Sequence, residues 1–260
     1  MAHRLGAEHV FSVDLDRELV DLARDRLAGI GYRPTLVVAD GAGGLPGHGL
    51  FDRIIATCSV PALPWFWVEQ TRIGGLILAD LELSVHAGNL VLLKRYHDRA
   101  EGHFDRNWAG FMALRSPSPA TPAPLPLRDR NRATPRATDL DQLRPWDNLV
   151  AWFLAQLAVP GEIGYGHNVT ETGPGDVFLT HADGSWCEVS NHSDGGTRQV
   201  WEAGPTRLWR AVEDGYQTWH TLGRPEWDRF GITASAERQW IWLDAPDGPH
   251  TWPLTPADPS

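Results

Sequence analysis

The chain has 260 residues and a mass of 28.8 kDa, with 42% hydrophobic and 22% charged side chains. This is the composition of one large or two modest globular domains, and it excludes a disordered or fibrous chain. The densest apolar run, Gly74 to Asp80, is strand-sized, far short of the ~20 residues a membrane-spanning helix needs. The opening residues lack the apolar segment of a secretory signal.

The formal charge of −10 is unevenly placed. Residues 1–140 hold 16 acidic and 16 basic side chains, whereas 141–260 hold 17 acidic and 7 basic. A phosphate-tracking groove needs the opposite sign, so no nucleic-acid partner is expected. Cys58 and Cys187 are too few for a disulfide framework or a zinc spacing. They read as small buried hydrophobes in a reducing cytoplasm. The histidines also lack ligand spacing, so no metal is expected.

Along the chain, residues 9–14 form a short apolar strand ending in an acid. Asp16 then caps a helix whose apolar stripe is Leu19, Val20, Ala23, Leu27 and Ile30, ended by Gly29 and Gly31. Residues 35–39 and 51–57 are two further strands, and 64–71 suit a helix with proline in its first turn. Gly74-Gly75 leads into a strand over 76–80, and 89–95 with 108–114 read as a closing strand pair. Continuous rather than alternating apolar runs argue for a parallel sheet covered on both faces.

Residues 116–140 carry Pro117, Pro119, Pro122, Pro124, Pro126 and Pro135 and read as an extended connector. Beyond it lie ten of the 13 tryptophans. There Gly164–Asn168 reads as an ordinary loop, Thr180–Trp186 as a hairpin with an Asp-Gly turn, and Leu208–Leu222 as an amphipathic helix.

Ligands of open α/β sheets bind at the carboxyl ends of the strands. Asp14 and Asp40 each stand just past a strand and are separated by one helix. Strands ~4.8 Å apart would bring both carboxylates to one nucleoside. Asp14 suits a bidentate contact to two ribose hydroxyls. Asp40 suits the exocyclic amine of adenine, with Gly41 letting the backbone approach the ring. The bland reading is that Asp14 caps the helix and Asp40 starts a turn.

Ser12–Leu19, Tyr32–Pro34, Val38–Gly41, Phe51–Ile55 and Val68–Gly75, in that order and spacing, resemble the protein-L-isoaspartate O-methyltransferases. More narrowly they resemble an actinobacterial branch that modifies ribosomally made peptides. The tail of that branch is similar to Arg207–Arg210, Pro225–Gly231 and Trp240–Asp244. The resemblance implies S-adenosylmethionine as cofactor, held by Asp14, Leu15, Ala39, Asp40 and Gly41. It implies an aspartyl or isoaspartyl carboxylate of a peptide or protein as methyl acceptor, with the ester closing to a succinimide. Thr57 and Ser59, in the acceptor-side loop Ala56–Pro61, would donate hydrogen bonds to that carboxylate; the alternative is a polar turn before Pro61. The family's glycine-rich loop and the strand before it would stand just upstream of Leu5, so an amino-terminally truncated copy is expected.

The expected class is therefore α/β, a Rossmann-like methyltransferase sheet lacking its first strand and glycine-rich loop. The divisions are a methyltransferase domain at 1–115, a linker at 116–140 and an α+β recognition domain at 141–260. A peptide-binding module without chemistry is the competing reading, and a nicotinamide dehydrogenase a weaker one. His86, between two strands, reads as structural or solvated. The sequence leaves the oligomeric state open.

Overall fold

The computed structural model describes residues 1–45, 47–117, 126–141, 143–171 and 173–254. Among these residues it is an α/β protein with three sheets. After a short helix α1 (Ala2–Leu5), strand β1 (Phe11–Asp14), helix α2 (Arg17–Gly29) and strand β2 (Thr35–Val38) form a parallel two-stranded unit, in which Asp14 pairs with Val38. Asp16 caps α2 by accepting from the amides of Glu18 and Leu19 at 2.9 and 3.2 Å. Of the expected stripe only Val20 is buried, while Leu19 and Ile30 stay exposed.

Strand β3 (Phe51–Val60) runs parallel to β4 (Thr71–Glu82), joined through the five-residue helix α3 (Trp65–Glu69). The expected loop at Ala56–Pro61 is thus strand as far as Val60. Hairpins then add β5 (Gly88–Arg95) and β6 (Arg99–Phe104), both antiparallel. The partner of β5 is therefore β6, and not residues 108–114, which make a single bridge at Ala113. A tight turn explains the preference: Tyr96 N–H donates to Arg99 O at 2.7 Å, and short loops cost the least entropy to close.

Strand β7 (Thr134–Thr138) lies in the expected connector yet pairs with a distant strand. Pro119, Pro122 and Pro124 fall outside the described residues. Helix α4 (Leu149–Leu157) follows, then β8 (Ile163–Thr170), β9 (Gly173–His181), β10 (Trp186–Asp194) and β11 (Thr197–Ala203). These give an antiparallel sheet in the order β7-β11-β10-β9-β8. Gly164–Asn168 is thus strand rather than loop. Its glycines are a steric requirement: a Cβ at Gly166 would crowd the Phe178 ring at 2.6 Å.

The chain ends with helix α5 (Leu208–Thr221) and strands β12 (Phe230–Ser235), β13 (Gln239–Leu243) and β14 (Thr251–Leu254). These last strands join the earlier sheet through β12 against β6, in the order β14-β13-β12-β6-β5-β4-β3. The expected boundary after residue 140 is thus crossed by one continuous sheet. Gly102 and Gly231 meet at the seam. A Cβ on Gly102 would run into the Leu92 carbonyl, and one on Gly231 into the Trp242 ring.

Helix α4 is buried from Val150 to Gln156 and has no polar outer face. Val150, Phe153 and Leu154 pack with Ile77, Leu93, Ile232 and Ile241 of the seven-stranded sheet. Ala151, Trp152 and Ala155 pack with Leu179, Val189 and Trp209 over the five-stranded one. The connector arginines neutralise part of the acidic half. Arg128 and Arg130 both bond the buried Glu188, at 2.6 and 2.7 Å, and Arg136 bonds the buried Glu202 at 2.9 Å. Arg128 and Arg130 also lie over the Phe178 and Trp201 rings, at 3.7 and 3.9 Å.

Candidate active site

The ends of β1 and β2 are tied together by the Ala39 amide, which donates to the Asp14 carbonyl at 3.1 Å. The half-exposed Asp14 carboxylate accepts from Asp16 N–H at 2.9 Å and from Arg115 Nη2 at 2.9 Å. Leu15 follows, half-buried. Asp40 starts a single 3-10 turn over Gly41–Gly43, its Oδ1 accepting from Ala42 N–H at 2.9 Å. Trp67 Nε1 donates to Gly41 O at 2.7 Å, so a helix of the seven-stranded sheet steadies the turn. Asp14 and Asp40 thus stand at neighbouring strand ends, each with carboxylate capacity left over.

Thr57 and Ser59 lie two residues apart on β3, where the register of that strand against β4 shifts. Thr57 is exposed, whereas Ser59 is buried beneath residues 112–114. Ser59 N–H donates to Met112 O, and Leu114 N–H donates to Ser59 O, both at 2.9 Å.

Three residues the sequence reading passed over belong to this rim. Asp80 pairs with Ser59 across β3 and β4, and its Oδ2 accepts from Phe111 N–H at 2.6 Å. Burial pushes its carboxyl up to about 6, with the Glu82 charge adding and the Phe111 N–H opposing. Its signal was present, since Ala79-Asp80 repeats the strand-then-acid pattern of Val13-Asp14 and Ala39-Asp40. Trp67 and Arg115 carried no such signal. Burial, with the Asp80 charge adding, also raises the Cys58 thiol, so thiolate chemistry is disfavoured there.

His86, expected to be structural or solvated, bonds a side chain of the five-stranded sheet. Its Nδ1 lies 2.6 Å from the Tyr165 hydroxyl, in left-handed backbone at φ 64°. A cavity of about 820 Å³ lies elsewhere, between β7 and α5, lined by Arg136, Thr138, Glu213, Tyr216 and Trp219 among others.

Residues 1–108 match the protein-L-isoaspartate(D-aspartate) O-methyltransferase family. That stretch holds Asp14, Asp40, Thr57, Ser59 and Asp80. Among curated relatives, the protein-L-isoaspartate O-methyltransferase of Ignicoccus hospitalis is 34% identical over 84 residues, 32% of this chain and 40% of its own. That of Christiangramia forsetii is 32% identical over 107 residues, 41% of this chain and 47% of its own. The chain thus spans less than half the length of these relatives. A solved protein-L-isoaspartate O-methyltransferase aligns over 91% of this chain and 68% of its own, at 15% identity and a TM-score of 0.47. No helix among the described residues is long and apolar enough to cross a membrane.

Proposed function

We propose that the chain is an S-adenosylmethionine-dependent carboxyl methyltransferase. Its acceptor is the side-chain carboxylate of an aspartyl or isoaspartyl residue in a peptide or protein. The carrying observation is the pair Asp14 and Asp40 at the ends of two neighbouring parallel strands, inside the stretch that matches the methyltransferase family.

The donor set fits the nucleoside half of the cofactor. Asp14 would accept from the ribose hydroxyls and Asp40 from the adenine amine, with Leu15, Ala39 and Gly41 as the flanking backbone. The bound cofactor supplies a methyl group already activated on a sulfonium. The acceptor oxygen is already an anion, so the protein's part is alignment and exclusion of water rather than proton transfer. Thr57 and Ser59 orient the acceptor carboxylate. In the ester product the following backbone nitrogen attacks the carbonyl, and methanol leaves to give a succinimide. This last step asks no group of the enzyme.

The tail motifs support peptide tailoring over repair as the setting, and the free thiols Cys58 and Cys187 accord with a reducing cytoplasm. Calorimetry with S-adenosylmethionine, followed by methyl transfer to an isoaspartyl peptide, tests the proposal. Heat of binding that disappears in Asp14→Ala is expected, and its absence in the unaltered chain would overturn the reading. The cavity between β7 and α5 supports a second reading, a peptide-binding module. Peptide binding without any cofactor heat would favour it.

A further inference from the structure

One six-residue segment touches both the cofactor side and the acceptor side of the candidate site. From Gly110 to Arg115 the chain leaves Asp80 on β4, runs along Ser59 on β3 and ends on Asp14 at the tip of β1. Its Leu114 side chain reaches over the Asp40-Gly41 turn, where Cδ1 would stand 3.8 Å from a Cβ on Gly41. Arg115 then bonds the Asp14 carboxylate at 2.9 Å and lies 4.0 Å from that of Asp16.

We propose that Gly110–Arg115 is an autoinhibitory strap, and that Arg115 occupies the carboxylate a nucleoside ribose would use. The inference rests on the reading of Asp14 given above. The Arg115 guanidinium and the Asp16 amide both bond Asp14 Oδ1, leaving Oδ2 alone for a contact that two ribose hydroxyls make with both oxygens, so the two compete. The strap is also built to leave. Phe111, Met112, Ala113 and Arg115 are exposed, Met112 by 88%, and only Leu114 is half-buried. Three bonds from or to backbone amides, the half-buried Leu114 packed at the core's edge and an exposed ion pair hold it, few contacts for six residues, which places it among the segments that open at low cost. Release of Arg115 uncovers Asp14, and lifting Leu114 off the Ser59 carbonyl with it uncovers Gly41 and Ser59, while the contact at Asp80 can remain.

The test is calorimetric titration with S-adenosylhomocysteine of the full chain and of its Arg115→Ala, Arg115→Lys and Asp14→Asn variants, with thermal melting of each unliganded protein. Removing an exposed ion pair corresponds to a change of about two- to fivefold. Arg115→Ala is therefore expected to bind about two- to fivefold more tightly than the unaltered chain. Its unliganded form should melt no higher, and Arg115→Lys should fall between. Tighter binding without greater stability is the mark of a competitor, because a merely structural arginine would not tighten binding on removal. Equal or weaker binding by Arg115→Ala, with Asp14→Asn still losing affinity, overturns the strap and leaves the nucleoside site standing. Asp14→Asn binding as tightly as the unaltered chain, or no binding by any protein, overturns the nucleoside reading and the strap with it.

Discussion

Asp80 stands directly across from Ser59 in the parallel register of β3 and β4, and the two are only 1% and 4% exposed. Burial and the Glu82 charge raise the Asp80 carboxyl from 3.8 to about 6. A carboxyl whose folded value lies above its unfolded one binds a proton on folding. Its favourable contribution is whole below about pH 4 and is lost as the pH rises through about 6. Asp80→Asn removes that loss while keeping an acceptor for Phe111 N–H. Urea unfolding at pH 4 and pH 7.5 should show the variant gaining on the unaltered chain with pH, by up to about 3 kcal/mol. An equal difference at both pH values would contradict the assignment.

The Arg128–Glu188–Arg130 group fastens the end of the connector to the five-stranded sheet. Either arginine alone leaves Glu188 a partner, and Arg130, being more than one-third exposed, is partly screened. Each single alanine variant should therefore cost about 1 kcal/mol. The double variant leaves the buried Glu188 carboxylate with no cation and only Asn168 Nδ2 at 3.3 Å, and should cost about 3 kcal/mol. Chemical denaturation of the full cycle reads the excess, and simple additivity would speak against a shared role.

The seam between β6 and β12 makes the first 115 residues dependent on Phe230 to Leu254. A fragment of residues 1–115 loses β12, β13 and β14 and leaves Ile77, Leu93 and Phe104 without their partners. It should show no cooperative unfolding transition. In the full chain, Gly102→Ala should cost about 2–3 kcal/mol, because its Cβ meets backbone that has no room to give. A fragment that melts cooperatively would restore an independent first domain.

The bond from Trp67 Nε1 to Gly41 O joins the end of β2 to the seven-stranded sheet. Trp67→Phe keeps most of the buried ring and loses the donor. Stability should fall by about 1–2 kcal/mol, and S-adenosylhomocysteine affinity should fall as the Gly41 turn loosens. Calorimetry and melting on one preparation separate the two effects.

What the sequence determined by itself is what short-range chemistry encodes. The Asp16 cap, the β1-α2-β2 unit, the Asp183-Gly184 hairpin and helix α5 all follow from periodicity, capping and turn residues within a dozen positions. Asp14 and Asp40 were legible because an acid just past an apolar strand has a defined place in a parallel unit. Tertiary structure decided the partners. Residues 108–114 have the aromatic and apolar character of a strand, but β6 is nearer in sequence and takes the edge of β5 first. β6 itself, Arg-Ala-Glu-Gly-His-Phe, shows no apolar run, since its burial comes from lying between β5 and β12. The strap was invisible for the same reason. The contact of Arg115 with Asp14 spans 101 residues, and an arginine's local sequence does not say which carboxylate it will find. Composition likewise placed the −10 charge in the second half, yet only the fold showed that arginines from the first half satisfy its buried carboxylates.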